Sequence, residues 1–312
     1  MIVISEDVWS DEFAALQKSF PITHEPDLWN RRDDLKRLLS GASALVVRNR
    51  TSVNREIIES APNLRIIARA GVGLDNIDIA CADERGVVVS AALGINAVAV
   101  GELTLGLAIS LLRDVVARDL STRSGEWNRG AGTEISGKTW GYLGFGATAR
   151  ATSKLLSGFN CKQIAYDPYT KDFAGAEPKS FDEVISQADI ISIHLPANSE
   201  TTNSINSAAI GKMKKSAVLI NVGRGEVIDE VALESALKEG KIAGAALDVR
   251  AEEPPKDDRF KNLKNVILTP HIAGITRESQ RAINQVLVSE IERALKGEAQ
   301  QHAVGKVKQV RT

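Results

Sequence analysis

The chain has 312 residues, of which 43% are hydrophobic and 25% are charged. This length favours two domains, and the composition is typical of a globular protein with a sizeable core. A net charge of −1 argues against a protein that binds nucleic acid or a membrane surface, because both need a basic excess. Two cysteines, Cys81 and Cys161, cannot form a disulfide framework or a cysteine-rich metal site, so we expect a reduced, cytoplasmic protein without a bound metal.

Two segments bear on membrane targeting. The N-terminus, MIVISEDVWSDEF, places acids where a signal peptide needs a basic stretch followed by an apolar one. Residues 91–112 are long and largely apolar, but Asn96, Glu102 and three glycines make a poor lipid-facing surface. We interpret this segment as a buried helix between domains, and we expect no contact with a membrane.

Short apolar runs alternate with helix-like stretches along the whole chain, and runs without polar alternation are typical of buried parallel strands. The predicted strands are Met1–Ser5, Ala44–Val47, Leu64–Arg69, Val87–Ser90, Thr139–Leu143, Gln163–Tyr166, Ile190–His194, Ala217–Asn221, Gly244–Asp248 and Val266–Thr269. The predicted helices are Glu25–Gly41, Val98–Arg118, Arg150–Leu156, Phe181–Gln187, Asp229–Gly240 and one after Thr276 through Leu295. The pattern predicts an α/β, doubly wound fold.

The order of elements predicts two such units, one inserted into the other. An N-terminal unit of about four strands ends near Ser90, and the long helix Val98–Arg118 leads to a second unit that starts at Gly137. The helix after Thr276 returns the chain to the first unit. We therefore assign residues 1–95 and 284–312 to the first unit and residues 96–283 to the inserted one.

A glycine-rich loop joins the strand Thr139–Leu143 to the next helix. Its sequence, Gly144-Phe145-Gly146-Ala147-Thr148-Ala149, fits the G-x-G-x-x-A pattern in which two glycines allow a tight turn and a close approach to pyrophosphate. The helix N-terminus offers free N–H groups and a positive dipole end to phosphate. The strand before and the helix after the loop predict a dinucleotide site.

Asp167 follows the next strand, 23 residues after Gly144, close to the spacing of a carboxylate that binds the ribose hydroxyls of a dinucleotide. A carboxylate there repels a 2′-phosphate, and no Lys or Arg stands beside it, so NAD is favoured over NADP. The alternative is a turn-capping role for Asp167 ahead of Pro168.

Three further strand ends carry groups suited to catalysis. Arg224 lies between glycines after one strand, Glu252 and Glu253 follow another, and His271 follows a third. Open α/β sheets bind ligands at the carboxyl ends of their strands. There, an arginine could bind a carboxylate, a histidine could exchange a proton, and a glutamate would keep that imidazole protonated longer. The alternative is three unrelated exposed loops.

The other histidines are less informative. His194 ends an apolar strand, where a purely structural role is an alternative to a functional one. We predict that His24 and His302 are surface residues. No cluster of His, Cys and Asp has the spacing of metal ligands, so a metal enzyme is not expected.

Several motifs, in order, resemble the D-isomer-specific 2-hydroxyacid dehydrogenases, and most of all their phosphoglycerate dehydrogenase branch. The matching segments are VVRNRTSV, IIARAGVGLDNIDI, GKTWGYLGFG, SIHLPANSETTNSI, LINVGRGEVIDEVAL, AGAALDVRAEEPP and NVILTPHIAG, which together span nearly the whole chain. The resemblance implies two Rossmann-like domains, NAD(H), hydride transfer and a homodimer formed through the nucleotide domain, or a higher homo-oligomer.

Carried over residue by residue, the resemblance implies that the catalytic residues are Arg224, Glu253 and His271. The cofactor-binding residues it implies, together with those of the loop, are Gly144, Gly146, Ala147, Thr148, Asp167, His194, Pro196, Val222, Asp248, His271 and Gly274. The substrate-binding residues it implies are Arg48, Arg69, Gly71, Val72, Gly73, Asn96 and Arg224. Trp127 and Arg129 resemble a segment that in this branch reaches the neighbouring subunit's site.

The sequence also departs from the family. Ala149 stands where glycine is usual, which is a mild change. Ala92-Leu93 replace the branch's Thr-Pro, and Asn49 replaces its Ser, so the substrate is less well defined than the chemistry.

The leading hypothesis is an NAD-dependent dehydrogenase for a small anionic D-2-hydroxyacid, with 3-phosphoglycerate the first choice. Arg48, Arg69 and Arg224 imply more anionic charge than one carboxylate, and a sulfonate such as sulfolactate would satisfy them equally. Glycerate, hydroxypyruvate or lactate leave two arginines without a role. The alternative class is a non-enzymatic NAD-binding protein similar to the C-terminal-binding co-repressors.

Overall fold

In a computed structural model of the chain, residues 1–310 are described. The chain forms two compact units, one made of Met1–Asn96 with the chain from Thr276 onward, the other of Ala97–Ile275. The predicted inserted unit, 96–283, differs from this division mainly at its end. Thr276 caps the last helix, whose buried side chains pack inside the first unit, so the boundary falls before that helix begins.

The first unit is built on five parallel strands, β1 (Ile2–Ile4), β2 (Ile22–His24), β3 (Ala44–Val47), β4 (Ile66–Arg69) and β5 (Val88–Ala91). Their order in the sheet is β2-β1-β3-β4-β5. The sequence predicted four of these strands and missed β2. This edge strand has three half-buried residues, so it lacks the apolar run that marks the others.

The helices of the first unit are α1 (Asp11–Leu16), α2 (Arg32–Leu39), α3 (Arg55–Glu59), α4 (Ile79–Arg85) and α11 (Arg277–Lys296). Successive strand residues point to opposite faces, so β1 contributes to two cores. Ile2 and Ile4 pack with residues of α1 and α11, whereas Val3 packs with residues of α2, α3 and α4. The predicted helix Glu25–Gly41 is confirmed only in its second half, as α2.

The second unit is built on seven parallel strands, β6 (Thr139–Leu143), β7 (Lys162–Tyr166), β8 (Glu177–Pro178), β9 (Ile190–Ile193), β10 (Val218–Asn221), β11 (Gly244–Leu247) and β12 (Val266–Leu268). They lie in the order β12-β11-β10-β9-β6-β7-β8. All the predicted strands of this unit are confirmed, and only the two-residue edge strand β8 was missed.

The helices of the second unit are α5 (Ala97–Leu112), α6 (Val115–Arg123), α7 (Ala147–Leu155), α8 (Phe181–Gln187), α9 (Ser207–Lys212) and α10 (Glu230–Lys238). The single helix predicted at Val98–Arg118 is two helices, because Asp114 adopts a left-handed conformation (φ 52°) between them. Within residues 1–310, no helix combines the length and apolar character needed to span a bilayer.

Both sheets are doubly wound, and each has a switch point where the strand order reverses. In the first unit it lies between β1 and β3, and in the second between β6 and β9. Crevices at the carboxyl ends of strands beside a switch point are the usual ligand sites of open α/β sheets. The two parallel-sheet α/β units confirm the predicted fold class.

Candidate active site

The glycine-rich loop leads from β6 into α7 at the switch point of the second unit. Gly144 has a φ of +84°, and a Cβ there would come within 3.0 Å of the His194 carbonyl carbon, so only glycine fits this turn. Ala149 is fully buried, as close packing of helix on strand requires. Gly146 is the N-cap of α7 and has no side chain to bond the first N–H groups of the helix, which suits a phosphate ligand.

The Asp167 carboxylate anchors this loop to the end of β7. It accepts hydrogen bonds from the backbone N–H groups of Phe145 (2.7 Å), Tyr169 (2.8 Å) and Thr170 (3.0 Å). Burial alone would raise the pKa of Asp167, but these three bonds outweigh burial and hold its pKa below the ordinary value. The carboxylate is therefore charged at neutral pH.

A cleft of about 350 Å³ opens beside the loop. Five of the residues predicted to bind the cofactor line it together: Gly144, Gly146, Asp167, His194 and Pro196. At its rim the exposed Tyr169 hydroxyl donates a 2.8 Å hydrogen bond to Glu200. The turn-capping role of Asp167 does not exclude a cofactor role, because the carboxylate both bonds the turn and lines the cleft.

His194 follows β9 and faces the same cleft. Its Nδ1 lies 3.0 Å from the Thr148 hydroxyl and its Nε2 lies 3.1 Å from the Ser192 hydroxyl. The Trp140 indole donates a 2.9 Å hydrogen bond to that serine. Burial lowers the pKa of His194 to about 3, so its imidazole is neutral at physiological pH.

His271 and Glu253 form a close pair. The His271 Nδ1 lies 2.7 Å from Glu253 Oε2, and the other carboxylate oxygen accepts from the Arg250 backbone N–H at 3.0 Å. Burial would raise the pKa of Glu253, but the bonds from His271 and Arg250 and the nearby charge of Arg224 lower it below its usual value. A charged Glu253 accepting from Nδ1–H leaves Nε2 as the atom that exchanges a proton with a ligand.

Asp248 holds the backbone on which His271 sits. This carboxylate is 1% exposed and accepts from the Thr269 hydroxyl (2.6 Å) and from the N–H groups of Ile272 and Ala273, both at 2.9 Å. His271 has a φ of +55°, a conformation that costs energy in a non-glycine residue and that needs such support. Asp248 thus bonds the loop on both sides of His271. Gly274 directly follows the bonded Ala273.

Arg224 follows β10 in a tightly packed turn. A Cβ at Gly225 would lie 1.9 Å from the carbonyl carbon of Arg250, so the turn passes against the backbone of the loop that carries Glu253. Asn221 donates to the Arg224 carbonyl at 2.9 Å, and Val222 is half-buried beside it. Arg224, Glu253 and His271 are therefore gathered at neighbouring strand ends of one unit, and the reading of three unrelated loops does not hold.

The first unit carries the other predicted set. Arg48 follows β3, and the turn from Arg48 to Thr51 is bonded to the buried carboxylate of Glu6, which is 3% exposed. Glu6 accepts from the N–H groups of Arg48 (2.8 Å), Arg50 (3.0 Å) and Thr51 (2.9 Å) and from the Thr51 hydroxyl (2.8 Å). Glu6 is not among the residues predicted from the sequence, although an acid just after an apolar strand was a usable signal.

The carbonyl side of the same turn is held by Asn76, whose amide donates to the carbonyls of Arg48 (3.0 Å) and Thr51 (2.7 Å). Asn76 lies in the loop between β4 and α4, which also contains Gly71, Val72 and Gly73. Arg69, at the end of β4, is 7% exposed and donates to the Ala70 carbonyl at 2.8 Å. Asn96, which is also predicted to bind substrate, is the last residue of the N-terminal segment of the first unit, and it is 8% exposed.

No group of three or more His, Cys, Asp or Glu residues within residues 1–310 is arranged to hold a metal ion.

Residues 105–273 match the family model described as D-isomer specific 2-hydroxyacid dehydrogenase, NAD binding domain. The chain belongs to this family. It is 41% identical over 280 residues to a D-3-phosphoglycerate dehydrogenase of Methanocaldococcus jannaschii, covering 88% of this chain and 53% of that protein. It is 39% identical over 266 residues to a hydroxypyruvate reductase of Thermotoga maritima, covering 83% of this chain and 87% of that protein.

The fold agrees with this membership. The structure of TT0316 protein from Thermus thermophilus matches with a TM-score of 0.91 and 28% identity, covering 97% of this chain and 99% of that one. The chain spans about half the length of the phosphoglycerate dehydrogenase relative. The family resemblance and the expectation of a nicotinamide cofactor are confirmed, and the residues of the cleft fit such a cofactor.

Proposed function

We propose that this member of the 2-hydroxyacid dehydrogenase family is an NAD-dependent oxidoreductase for a D-2-hydroxyacid with a second anionic group, most closely 3-phosphoglycerate. The observation that carries the chemistry is the 2.7 Å pair of His271 and Glu253, which lies near the charge of Arg224. A histidine with a fixed Nδ1 partner is a general acid–base, and an arginine beside it binds a carboxylate.

The proposed roles follow from these groups. Nε2 of His271 protonates the 2-oxo oxygen during reduction and takes the proton back during oxidation. Glu253 orients the imidazole through its 2.7 Å contact with Nδ1. Arg224 binds the substrate carboxylate in a two-point geometry. The nicotinamide cofactor, when bound, supplies or accepts the hydride.

The cofactor is held, in this proposal, by the glycine-rich loop, by Asp167 and by the other residues of the cleft. Three backbone N–H groups occupy three of the roughly four lone-pair sites of the Asp167 carboxylate, and the remaining site accepts from a ribose hydroxyl. Its charge disfavours a 2′-phosphate, so NAD(H) is the proposed cofactor over NADP(H).

The second anion of the substrate is assigned to Arg48 and Arg69, and the backbone N–H groups of residues 71–73 are assigned to the substrate carboxylate. One relative is named as a phosphoglycerate dehydrogenase and another as a hydroxypyruvate reductase, and these substrates differ by that anion. The number of arginines favours the phosphorylated or sulfonated substrate. A hydroxypyruvate or glycerate enzyme is the second candidate, favoured by the relative from Thermotoga maritima.

A panel of 2-oxoacids tests this function through NADH oxidation: phosphohydroxypyruvate, sulfopyruvate, hydroxypyruvate, pyruvate and 2-oxoglutarate. We expect phosphohydroxypyruvate to give the highest kcat/KM. Equal values for hydroxypyruvate would support the second candidate. Tight NADH binding without turnover of any of the five would favour a non-enzymatic, co-repressor-like protein.

Two arginine variants test the assignment of the anions. Arg224→Ala should raise KM about tenfold or more for every 2-oxoacid, because all share the carboxylate. Arg48→Ala should raise KM by a similar factor for phosphohydroxypyruvate or sulfopyruvate and leave hydroxypyruvate nearly unchanged. Equal losses for all substrates in both variants would contradict the division.

The proposed assembly is a homodimer. Large apolar side chains are exposed on α5 and α6, among them Val98, Val115 and Leu120, and Trp127 follows with 79% of its surface exposed. Apolar surface of this kind is typical of a face that a second subunit covers. Light scattering during size-exclusion chromatography measures the mass directly, and a monomer at micromolar concentration would contradict the proposal.

A further inference from the structure

Four side chains of the second unit form a chain of hydrogen bonds that runs from the core to the start of α7. Trp140 on β6 bonds Ser192 on β9, Ser192 bonds His194, and His194 bonds Thr148. Trp140 and Ser192 are fully buried, whereas His194 and Thr148 are partly exposed. This series of hydrogen bonds therefore begins in the closed interior of the second unit and ends at Thr148, beside the loop that borders the cleft.

The order of protons along this chain follows from what each group can do. An indole N–H only donates, so Ser192 accepts from Trp140. The serine has one proton left, and within residues 1–310 the His194 Nε2 is the acceptor placed to receive it, at 3.1 Å. The opposite order would leave a buried hydroxyl proton without an acceptor, which is costly.

The tautomer of His194 determines which of its nitrogens donates a proton to Thr148. A neutral imidazole carries one N–H, and an Nε2 that accepts from Ser192 requires the proton to be on Nδ1. Burial lowers the pKa of His194 to about 3, which excludes the doubly protonated ring at neutral pH. Nδ1–H therefore donates to the Thr148 hydroxyl oxygen at 3.0 Å.

We propose that the Trp140–Ser192–His194 chain fixes Thr148 as a hydroxyl donor to the cofactor pyrophosphate. Since Thr148 accepts from His194, its own proton is directed elsewhere, and Thr148 is the second residue of a helix whose N-terminus has no side-chain cap. A hydroxyl donor there adds a charge-assisted hydrogen bond to those of the backbone. Ser192 and His194 are positioning residues in this arrangement.

This inference rests on the cofactor half of the proposed function, and its test involves no substrate. Binding of ADP-ribose and of adenosine is measured by titration calorimetry, because only ADP-ribose carries the pyrophosphate. Thr148→Val, which keeps the side-chain shape without the hydroxyl, should weaken ADP-ribose about tenfold and leave adenosine unchanged. Thr148→Ser should restore nearly the wild-type affinity.

The matched control is Thr152→Val, one turn later on the same helix. Its hydroxyl bonds the Thr148 carbonyl at 2.9 Å and is buried, so its loss affects the helix but not the donor. Thr152→Val should bind ADP-ribose like the wild type after correction for any change in stability. An equal loss in both threonine variants would overturn the proposal, because it would indicate a general weakening of α7.

The proton order has its own readout. With four histidines in the chain, 15N-histidine labelling and a His194→Gln reference spectrum identify the His194 signals. We expect the Nδ1-protonated tautomer in the free protein, and Ser192→Ala should abolish this preference and weaken ADP-ribose. An Nε2-protonated ring in the wild type, or ADP-ribose binding unchanged in Thr148→Val, would overturn the inference. Absent turnover with intact ADP-ribose binding would count against the proposed reaction alone.

Discussion

Both units are doubly wound parallel sheets, but their strand orders differ and so do the groups at their switch points. In the first unit the N–H groups of the loop after β3 are bonded to an internal anion, the carboxylate of Glu6. In the second unit the N-cap of α7 is Gly146, which offers no side chain to the helix N-terminus, and a cleft of about 350 Å³ lies beside the loop. At its switch point the first unit thus bonds loop N–H groups to one of its own carboxylates, whereas the second unit has a helix N-terminus beside a cleft.

The difference explains how one architecture supports two roles. A buried carboxylate without a paired cation has to be satisfied by hydrogen bonds, and four such bonds make the Arg48–Thr51 turn rigid. Rigidity suits a side chain that has to present a charge at a fixed position. In the proposed function, by contrast, the N–H groups at the N-terminus of α7 bind an anion of the cofactor.

The largest expected effect concerns proton transfer in the second unit. His271→Ala should lower kcat by about 10²–10⁴-fold, the usual loss on removing a general acid–base, while NADH and ADP-ribose bind nearly as in the wild type. Steady-state kinetics and calorimetry measure the two quantities. A variant with near-normal kcat would remove His271 from the mechanism.

The next largest effect tests the role of Glu6, the internal anion of the first unit. Glu6→Gln replaces one acceptor oxygen by an N–H₂ group that faces backbone donors, so we expect a loss of about 1–3 kcal/mol of unfolding free energy. The KM for phosphohydroxypyruvate should rise several-fold, with ADP-ribose affinity unchanged. Urea unfolding and steady-state kinetics give these values.

Glu290→Gln is the control for that variant. Glu290 is 1% exposed and accepts from the N–H groups of Gln301 (3.1 Å) and His302 (3.0 Å), at the other end of the sheet of the first unit. The Glu290→Gln variant should lose a comparable free energy of unfolding without any change in the KM for phosphohydroxypyruvate. If Glu290→Gln and Glu6→Gln raised KM equally, the effect of Glu6 would be one of stability only.

A third prediction addresses the open switch point of the second unit. Asp167→Ala should weaken NAD(H) and narrow its preference over NADP(H), because both the ribose acceptor and the repulsion of a 2′-phosphate are removed. The ratio of Kd values for the two cofactors measures this effect. An unchanged ratio would show that the carboxylate serves only to hold Phe145, Tyr169 and Thr170.

The smallest expected effect is a shift in pH dependence. The pKa of Glu253 lies below its ordinary value, so at neutral pH its carboxylate places a negative charge 2.7 Å from Nδ1 of His271. Glu253→Gln removes this charge, and the alkaline limb of the kcat/KM profile for reduction should move to lower pH by about one unit. An unchanged pH profile of kcat/KM in Glu253→Gln would mean that Glu253 only orients the imidazole.

Much of this molecule is predictable because its signals are local in the chain. Runs such as LVV and IISI predict buried parallel strands, and the pair Gly144 and Gly146 between strand and helix predicts a dinucleotide loop. All ten predicted strands are present in the structure. The strands that were not predicted are β2 and β8, short edge strands whose residues are half-buried or exposed and so give no apolar run, and the predicted helix Val98–Arg118 breaks at Asp114.

What the tertiary structure decided is the partner of each buried polar group. Glu6 bonds an amide 42 residues away, and Trp140 bonds a serine 52 residues away, because their strands are neighbours in the sheet and not in the sequence. A buried donor or acceptor has to find a partner wherever packing supplies one. The sequence by itself determined the strands, the glycine-rich loop and the residue types at the strand ends, while strand order alone decided which of those side chains meet.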